Sequence, residues 1–355
     1  MRSSWQYGEK EFLVNLHKQM DSQGLDWRDD AIVTPISENL SLLYSIDNVS
    51  IIKELATPEE TMIAYGKWAA SVICNDIIAC GTLPKGLALD VGIGNMDEDG
   101  FNCFVKGVLD VCRKYATNYE GGNINTSDTV SGIAWGTSEP ERIIRRRGAR
   151  EGAVLFATTD IGIGWTKRLL RKYASEQGMS LSCLEGITPH LELLDNYQND
   201  PCVNIELFKE IWDLDIIQCG MDLTDGIIEL GYEIFDRTNL GVVFDFRGKV
   251  HPLLQAASDV LNYTSDAFHF EPGYDTPYAH GWCIDERDLH KAICTFEKYN
   301  APYTILGYTS SDVDGVTYNA GNSLRSLPRY WDDKIINRGS IDNWEKIILP
   351  VFNDL

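Results

Sequence analysis

Asn75-Asp76-Ile77-Ile78-Ala79-Cys80-Gly81-Thr82-Leu83-Pro84 is the stretch from which the fold is read. Asp76 sits among Val72, Ile73, Ile77 and Ile78, a helical and apolar context. A carboxylate there is costly unless it is paired or bound to a cation. Upstream, Pro58-Glu59-Glu60 is a helix start, with proline in the first turn and acids behind it. The helix therefore runs from Pro58 to about Cys80 and stops at Gly81. Downstream, Lys85–Ile93 reads as a strand, Asp97–Tyr119 as a second long helix ended by Gly121-Gly122, and Thr129–Thr137 as a strand. Before it, Ala31–Ile36 and Leu40–Asp47 are β-branched apolar runs suited to paired strands. Glu9 to Gln19 reads as a short amphipathic helix with Phe12, Leu13 and Leu16 on one side. Strands alternating with long helices imply an α/β (α+β) layer, a sheet with one face covered by helices.

The chain has 355 residues, more than one core usually supports, so two domains are expected. The basic segment Arg142–Arg150 follows Glu139-Pro140 and marks the junction, giving domains 1–150 and 151–355. The second half opens with the buried-type strand Ala153–Thr158, a turn with Gly162 and Gly164, and a basic helix through Lys172. Asp225–Asp236 reads as a helix and Gly241–Phe246 as a strand. From about Gly273 the sequence is rich in Pro, Gly, Tyr and Asp and gives no clear pattern.

The formal net charge of −22 repels phosphate backbones, which argues against nucleic acid as a partner. It leaves room for a nucleotide carried by Mg²⁺, because carboxylates can hold the metal. No apolar run approaches the ~20 residues that a membrane helix needs. The first residues lack an apolar secretory core, and the nine cysteines are odd in number and form no CxxC pair. These features point to the reducing cytoplasm and away from disulfides or structural zinc.

Five acidic loci stand at the edges of elements: Asp29-Asp30, Asp47, Asp76, Asp222 and Asp225, the last two in Met221-Asp222-Leu223-Thr224-Asp225-Gly226. Carboxylates from distant segments suit a multi-metal nucleotide site. In a chain with 53 acids most are solvated or cap helices, and Asp225 could simply cap the helix after it.

Order and context favour the site. Gly8-Glu9…Phe12, Asp29-Asp30-Ala31, Ser45-Ile46-Asp47 and Asn75-Asp76…Gly81…Pro84 resemble the thiamine-monophosphate kinase family. Gly121-Gly122, Arg147-Gly148-Ala149-Arg150-Glu151-Gly152, Thr158-Thr159-Asp160-Ile161-Gly162 and the Asp222–Gly226 segment continue the resemblance in order, over roughly residues 8–250. That family shares a superfamily with aminoimidazole ribonucleotide synthetase and selenophosphate synthetase. The resemblance implies a two-domain fold, homodimerisation through N-terminal sheets that form a barrel, and ATP with Mg²⁺ as cofactors. It puts Asp29, Asp30, Asp47, Asp76, Asp222 and Asp225 at or beside metal-binding acids, with Asp76, Asp222 and Asp225 catalytic. Gly121, Gly122, Asn123, Arg147 and Thr224 become nucleotide-side residues. The implied activity is phosphoryl transfer to a small molecule. The alternatives are a synthetase that phosphorylates an amide or carbonyl oxygen, and a nucleotide-binding partner protein without turnover.

The departures are informative. Asn123 replaces an acid, with Asp128 near enough in sequence to compensate. Arg28 replaces the glycine before the double Asp, and Gly152-Ala153 replaces Gly-Asp. The kinase's Gly-Gly-Glu-Asp-Tyr-Glu-Leu segment, near its acceptor site, gives way to Phe270–Trp282. The nucleotide half is retained and the acceptor half rebuilt, so an acceptor other than thiamine monophosphate is expected. His269 and His280 lie in the rebuilt part as candidate acid/base groups, and Tyr274, Tyr278 and Trp282 are either pocket lining or packing.

Overall fold

The computed structural model describes residues 29–50, 57–94, 96–196, 201–248, 250–272, 278–321, 323–329 and 340–352. The helix expected over Glu9–Gln19 lies outside them, as do Trp27, Arg28 and Tyr274.

The first part is β1 (Ile32–Ser37), β2 (Leu40–Ser50), α1 (Pro58–Ala79), β3 (Gly86–Gly92), α2 (Glu98–Tyr115), β4 (Asn118–Asn125) and β5 (Thr129–Ser138). Its five strands form one sheet in the order β1-β2-β5-β3-β4. Thr57 caps α1 in a capping box with Glu60, ahead of Pro58, which satisfies orphan N–H groups in the first turn. The second helix ends earlier than the sequence suggested. Ala116 takes a left-handed conformation (φ 52°) and closes α2, and Gly121-Gly122 lie inside strand β4 instead. A glycine pair read as a stop signal is here an edge-strand feature, because the chain needs φ +88° and +142° there. A Cβ on Gly122 would stand 1.8 Å from the Leu89 carbonyl oxygen of the neighbouring strand.

The second part holds β6 (Val154–Ala157), α3 (Ile163–Glu176), α4 (Leu191–Asn196), α5 (Ile205–Asp213), β7 (Ile217–Asp222), α6 (Ile227–Thr238) and β8 (Gly241–Phe244). It continues with α7 (Pro252–Leu261), β9 (His280–Ile284), α8 (Leu289–Lys298), β10 (Thr304–Ser310), β11 (Val316–Asn319), β12 (Leu324–Ser326), α9 (Ile341–Ile347) and α10 (Leu349–Phe352). The sheet order is β12-β11-β8-β10-β6-β9-β7. β9 is antiparallel to both β6 and β7, and β10 is antiparallel to both β6 and β8. Hence β6, β7 and β8 run the same way and end on one edge of the sheet, where β9 and β10 begin.

Helix α1 is the spine of the molecule. It touches β2, β3 and β5 on one side and β7 on the other. Its Ile73 and Ile77 belong to a core that continues into Phe156, Phe208 and Trp282, so the two sheets share buried apolar surface. A separate core, with Trp165, Leu254, Phe268 and Trp344, fills the opposite face of the second sheet. Burial of this area is the main stabilising term, at about 25 cal/mol per Å².

Candidate active site

The shared spine explains how acids from far-apart segments meet. Asp30 stands just before β1, Asp76 lies in the last turn of α1, and Asp222 ends β7. One carboxylate oxygen from each lies within 4.8 Å of the others. The side chains of Asp30 and Asp222 are 2% and 6% exposed, so water does little to screen their repulsion.

Arg146 answers part of that charge. Its Nε donates to Asp30 Oδ1 at 2.8 Å and its Nη2 to the same oxygen. Nη2 also stands 3.9 Å from Asp222 Oδ1, and Nη1 stands 3.8 Å from Glu233 Oε1. Asp222 is oriented by two donors: Thr224 Oγ1 at 2.7 Å and Asn75 Nδ2 at 3.4 Å. Burial pushes Asp30 up to about 7 against the pull of Arg146, with Asp222 adding to the rise. Burial raises Asp76 well above the usual carboxylate range, and Asp222, Asp30 and Asp47 push it further. Asp222 is raised by burial as well, with Arg146 opposing. Three crowded acids with one arginine between them are a ligand set short of positive charge. A hard divalent cation that prefers oxygen fits this donor set.

The other expected residues fall in different places. Asp29 is turned away from the trio: Arg145 Nη1 donates to its Oδ2 at 2.6 Å and the Arg146 backbone N–H to its Oδ1 at 2.9 Å. Asp29 and Asp30 lie in the bend that precedes β1, and their side chains take different arginine partners, Arg145 and Arg146. Asp47 is in β2, in register with the inward Ser45 and Val49, and its charge is felt at Asp76. Asp225 raises Asp222 from the turn before α6. It is not the helix cap, since Gly226 occupies that position without a side-chain bond. Gly121 and Gly122 lie on β4, and Asn123 there donates to Asp90 Oδ1 at 3.1 Å. Asp128 is not among the three grouped acids. Thr224 serves Asp222, while Arg147 is exposed. Sequence reasoning missed Arg146 and the role of Asn75. The run Arg145-Arg146-Arg147 announced a basic segment, but which arginine turns inward depends on the local backbone.

The rebuilt region gives a mixed outcome. Trp282 is core packing, stacked on Phe156 at 6.3 Å between centroids. His280 is wholly buried and burial pushes it down to about 3, while His269 is pushed down to about 4 for the same reason. Both imidazoles are neutral near pH 7, which argues against proton uptake by either in the chain alone.

The chain is similar in sequence and in fold to known proteins. Residues 28–138 match the family described as AIR synthase related protein, N-terminal domain. The thiamine-monophosphate kinase of Haemophilus influenzae is 25% identical over 313 residues, 85% of this chain and 86% of that one. The selenide, water dikinase of Paraburkholderia xenovorans is 27% identical over 153 residues, 42% of each chain. Among solved structures, "AaThiL complexed with AMPPCP and TMP" superposes with TM-score 0.69 at 20% identity, covering 91% of this chain and 96% of that one. The chain thus carries, over residues 28–138, the N-terminal domain of the AIR synthase related family, and over most of its length it is similar to thiamine-monophosphate kinases.

Proposed function

We propose that this chain is an ATP-dependent phosphotransferase that moves the γ-phosphoryl group of ATP to a small-molecule acceptor other than thiamine monophosphate. The observation that carries the reading is the meeting of Asp30, Asp76 and Asp222 within 4.8 Å from three distant segments. These three would hold Mg²⁺, with Asp47 and Asp225 adding negative charge around them. Bound there, the metal would tie protein carboxylates to phosphate oxygens and neutralise charge on the transferring group. The rest of the work falls to the protein's own groups. Arg146 fixes Asp30, while Thr224 and Asn75 fix Asp222. Gly121, Gly122, Asn123 and Arg147 are retained as nucleotide-side residues, since missing side chains let backbone N–H groups approach phosphate. Kinase relatives support the activity.

The division of labour follows the two halves, 1–150 for metal, nucleotide and dimerisation and 151–355 for the acceptor, with Asp222 lent to the metal site. Homodimerisation is supported by the outer face of the first sheet. Ile46 on β2 pairs with Ile133 on β5, and they are 67% and 42% exposed. Ile32 on the adjoining β1 is exposed too, and such a contiguous apolar face invites a second copy. A cytoplasmic location is supported by nine cysteines, none of them in a disulfide. No helix among the described residues is long and apolar enough to cross a membrane.

Calorimetry with Mg-ATP tests the site. Asp76→Asn keeps volume and removes one ligand charge, so affinity should fall by about 100-fold while the fold persists. Wild-type affinity in that variant would sink the assignment. Phosphorus NMR on mixtures with metabolite pools then separates a phosphorylated product from ADP plus free phosphate, the signature of a synthetase.

A further inference from the structure

The glycine pair of β4 leads to a second place where oxygen atoms gather. Tyr119 pairs with Leu87 and Gly122 with Leu89, so β4 carries one residue more than β3 over this step. Such a bulge changes which residues of a strand share a face with the neighbouring strand. Beyond it, Asn123 is in register with Asp90. Leu89 and Val91, on either side of Asp90, are buried in the core between the sheet and α1. Asp90 therefore points to the outer face of the first sheet, away from the side on which Asp76 stands.

Asp128, near enough in sequence to make up for the acid that Asn123 replaces, is engaged elsewhere. It lies in the turn between β4 and β5, with Oδ1 packed on Gly94, where an added Cβ would stand 2.3 Å from it. The acid that touches Asn123 is Asp90. Asn123 Nδ2 donates to Asp90 Oδ1 at 3.1 Å, and Asn125 Nδ2 donates to the same oxygen at 2.8 Å. A carboxylate only accepts, so both amides must turn their nitrogens towards it. The amide oxygen of Asn123 is thereby turned away from Asp90 Oδ1. Asn125 Oδ1 already accepts the Ser127 N–H at 2.6 Å. Two oxygens are left without a donor among the described residues, Asp90 Oδ2 and Asn123 Oδ1. No Lys, Arg or His among those residues pairs with Asp90, so its charge is unmatched.

A carboxylate oxygen beside an amide oxygen, with one unmatched charge, suits a hard divalent cation that completes its shell with water and phosphate. Neighbouring strands lie about 4.8 Å apart. An acid at position 90 of β3 thus reaches nearly the same space as an acid at position 123 of β4 would. The charge missing from one strand is present on the next, and the hydrogen bond between the two side chains holds both at the Gly121-Gly122 turn.

We propose that Asp90 supplies the charge that Asn123 lacks, and that Asp90 Oδ2 and Asn123 Oδ1 form a divalent-cation site on the outer face of the first sheet, separate from the carboxylate trio. Its use by ATP rests on the phosphotransferase reading, in which Gly121 and Gly122 are nucleotide-side residues. The site itself is tested without nucleotide. Mn²⁺ takes the same oxygen ligands as Mg²⁺, and it broadens the NMR signals of groups near it. It is titrated into the full chain while the side-chain amide signals of Asn123 and Asn125 are followed. Both should broaden in the wild-type protein. Asp90→Asn should need about tenfold more Mn²⁺ for the same effect, the least that loss of a metal-site partner costs. This variant is isosteric and keeps Oδ1 as the acceptor of both amides, so a role confined to tying β4 to β3 would leave the Mn²⁺ dependence unmoved. Moving the acid back, with Asp90→Asn and Asn123→Asp combined, should restore the wild-type dependence at Asn125. Asp76→Asn should leave it unchanged, because the trio lies on the other side of the sheet. Thermal melts check that the variants are folded. Absence of broadening at Asn123 and Asn125 in the wild type, an unchanged Mn²⁺ dependence in Asp90→Asn, or no recovery in the double variant would each overturn the proposal. At equal free Mn²⁺, added ATP should deepen the broadening, since phosphate adds ligands. No deepening would overturn the link to ATP, while the titration without nucleotide still decides the cation site.

Discussion

At the β7 end of the sheet edge, three carboxylates crowd together around one arginine. Near the β8 end, Phe246, Tyr303 and the neutral imidazoles of His251 and His269 line a cavity of about 440 Å³ with two acids, Asp160 and Glu297. The first region is over-charged and short of a cation, and the second is shaped by its rings. A handful of residues with strict chemical identity suffices for the former, because Coulomb energy falls slowly with distance and few side chains carry it. The latter needs many walls of the right volume, each of which can be replaced by another apolar residue. On the function proposed above, that difference would let the acids persist while the acceptor region changed.

The widest contrast concerns the substrate. With wild-type protein, Mg-ATP and thiamine monophosphate, diphosphate formation should be slower than with the true acceptor by about 10⁴-fold, the scale on which mispaired polar groups reject an analogue. Efficient turnover would mean that the acceptor half has kept its old specificity.

Arg146→Ala should cost about 3–5 kcal/mol of unfolding free energy, because it strands Asp30 and Asp222 without their shared partner. Urea denaturation reads this directly. A loss below 1 kcal/mol, roughly the value of a surface pair, would show that the trio is not a buried charged site.

The two regions should respond to pH in opposite directions. Asp30 is raised to about 7, so the folded chain keeps a proton that an unfolded aspartate releases above about 4. Stability without metal should therefore fall as pH rises from about 4 to about 7. His269 is lowered to about 4, whereas an unfolded histidine takes up its proton below about 6.5. Its contribution should be lost as pH falls through that window. Because the two windows overlap, melting temperatures across pH 4.5 to 8 are read as changes in slope: added Mg²⁺ should remove the Asp30 fall and raise stability most near pH 7 to 8, and His269→Asn should remove the His269 rise with pH. A melting curve unmoved by Mg²⁺ at pH 8 would count against the metal set.

The smallest effect expected is that of Arg147→Ala, within about 0.5 kcal/mol in stability, as for most exposed positions. Its Mg-ATP affinity should fall only a few-fold. A change as large as that of Arg146→Ala would reverse the roles of the two arginines.

Much of the first part was legible because its signals are local. Pro58 with acids behind it, the run to Cys80, and the strands from Ile32 to Ser50 needed only periodicity and caps. The Gly121-Gly122 pair misled, since glycine punctuates strands as readily as helix ends and only the approach to Leu89 tells them apart. The region after Gly273 was unreadable because β9, β10 and β11 are four to seven residues long and paired with distant partners. Short buried strands have no period that sequence can display.

By itself, the sequence determined which acids were chemically out of place, the order in which they occur, and the alternation of helix and strand around them. Only the tertiary structure decided that Asp30, Asp76 and Asp222 share one point while Asp29 faces Arg145, and that Arg146 rather than Arg147 enters the cluster. It also decided that Phe246, His251 and Asp160 enclose one cavity. The physical reason is range. Propensity, capping and hydrophobic period act over a few residues, whereas electrostatic crowding and cavity shape depend on which distant segments the shared core of α1 and β7 brings together.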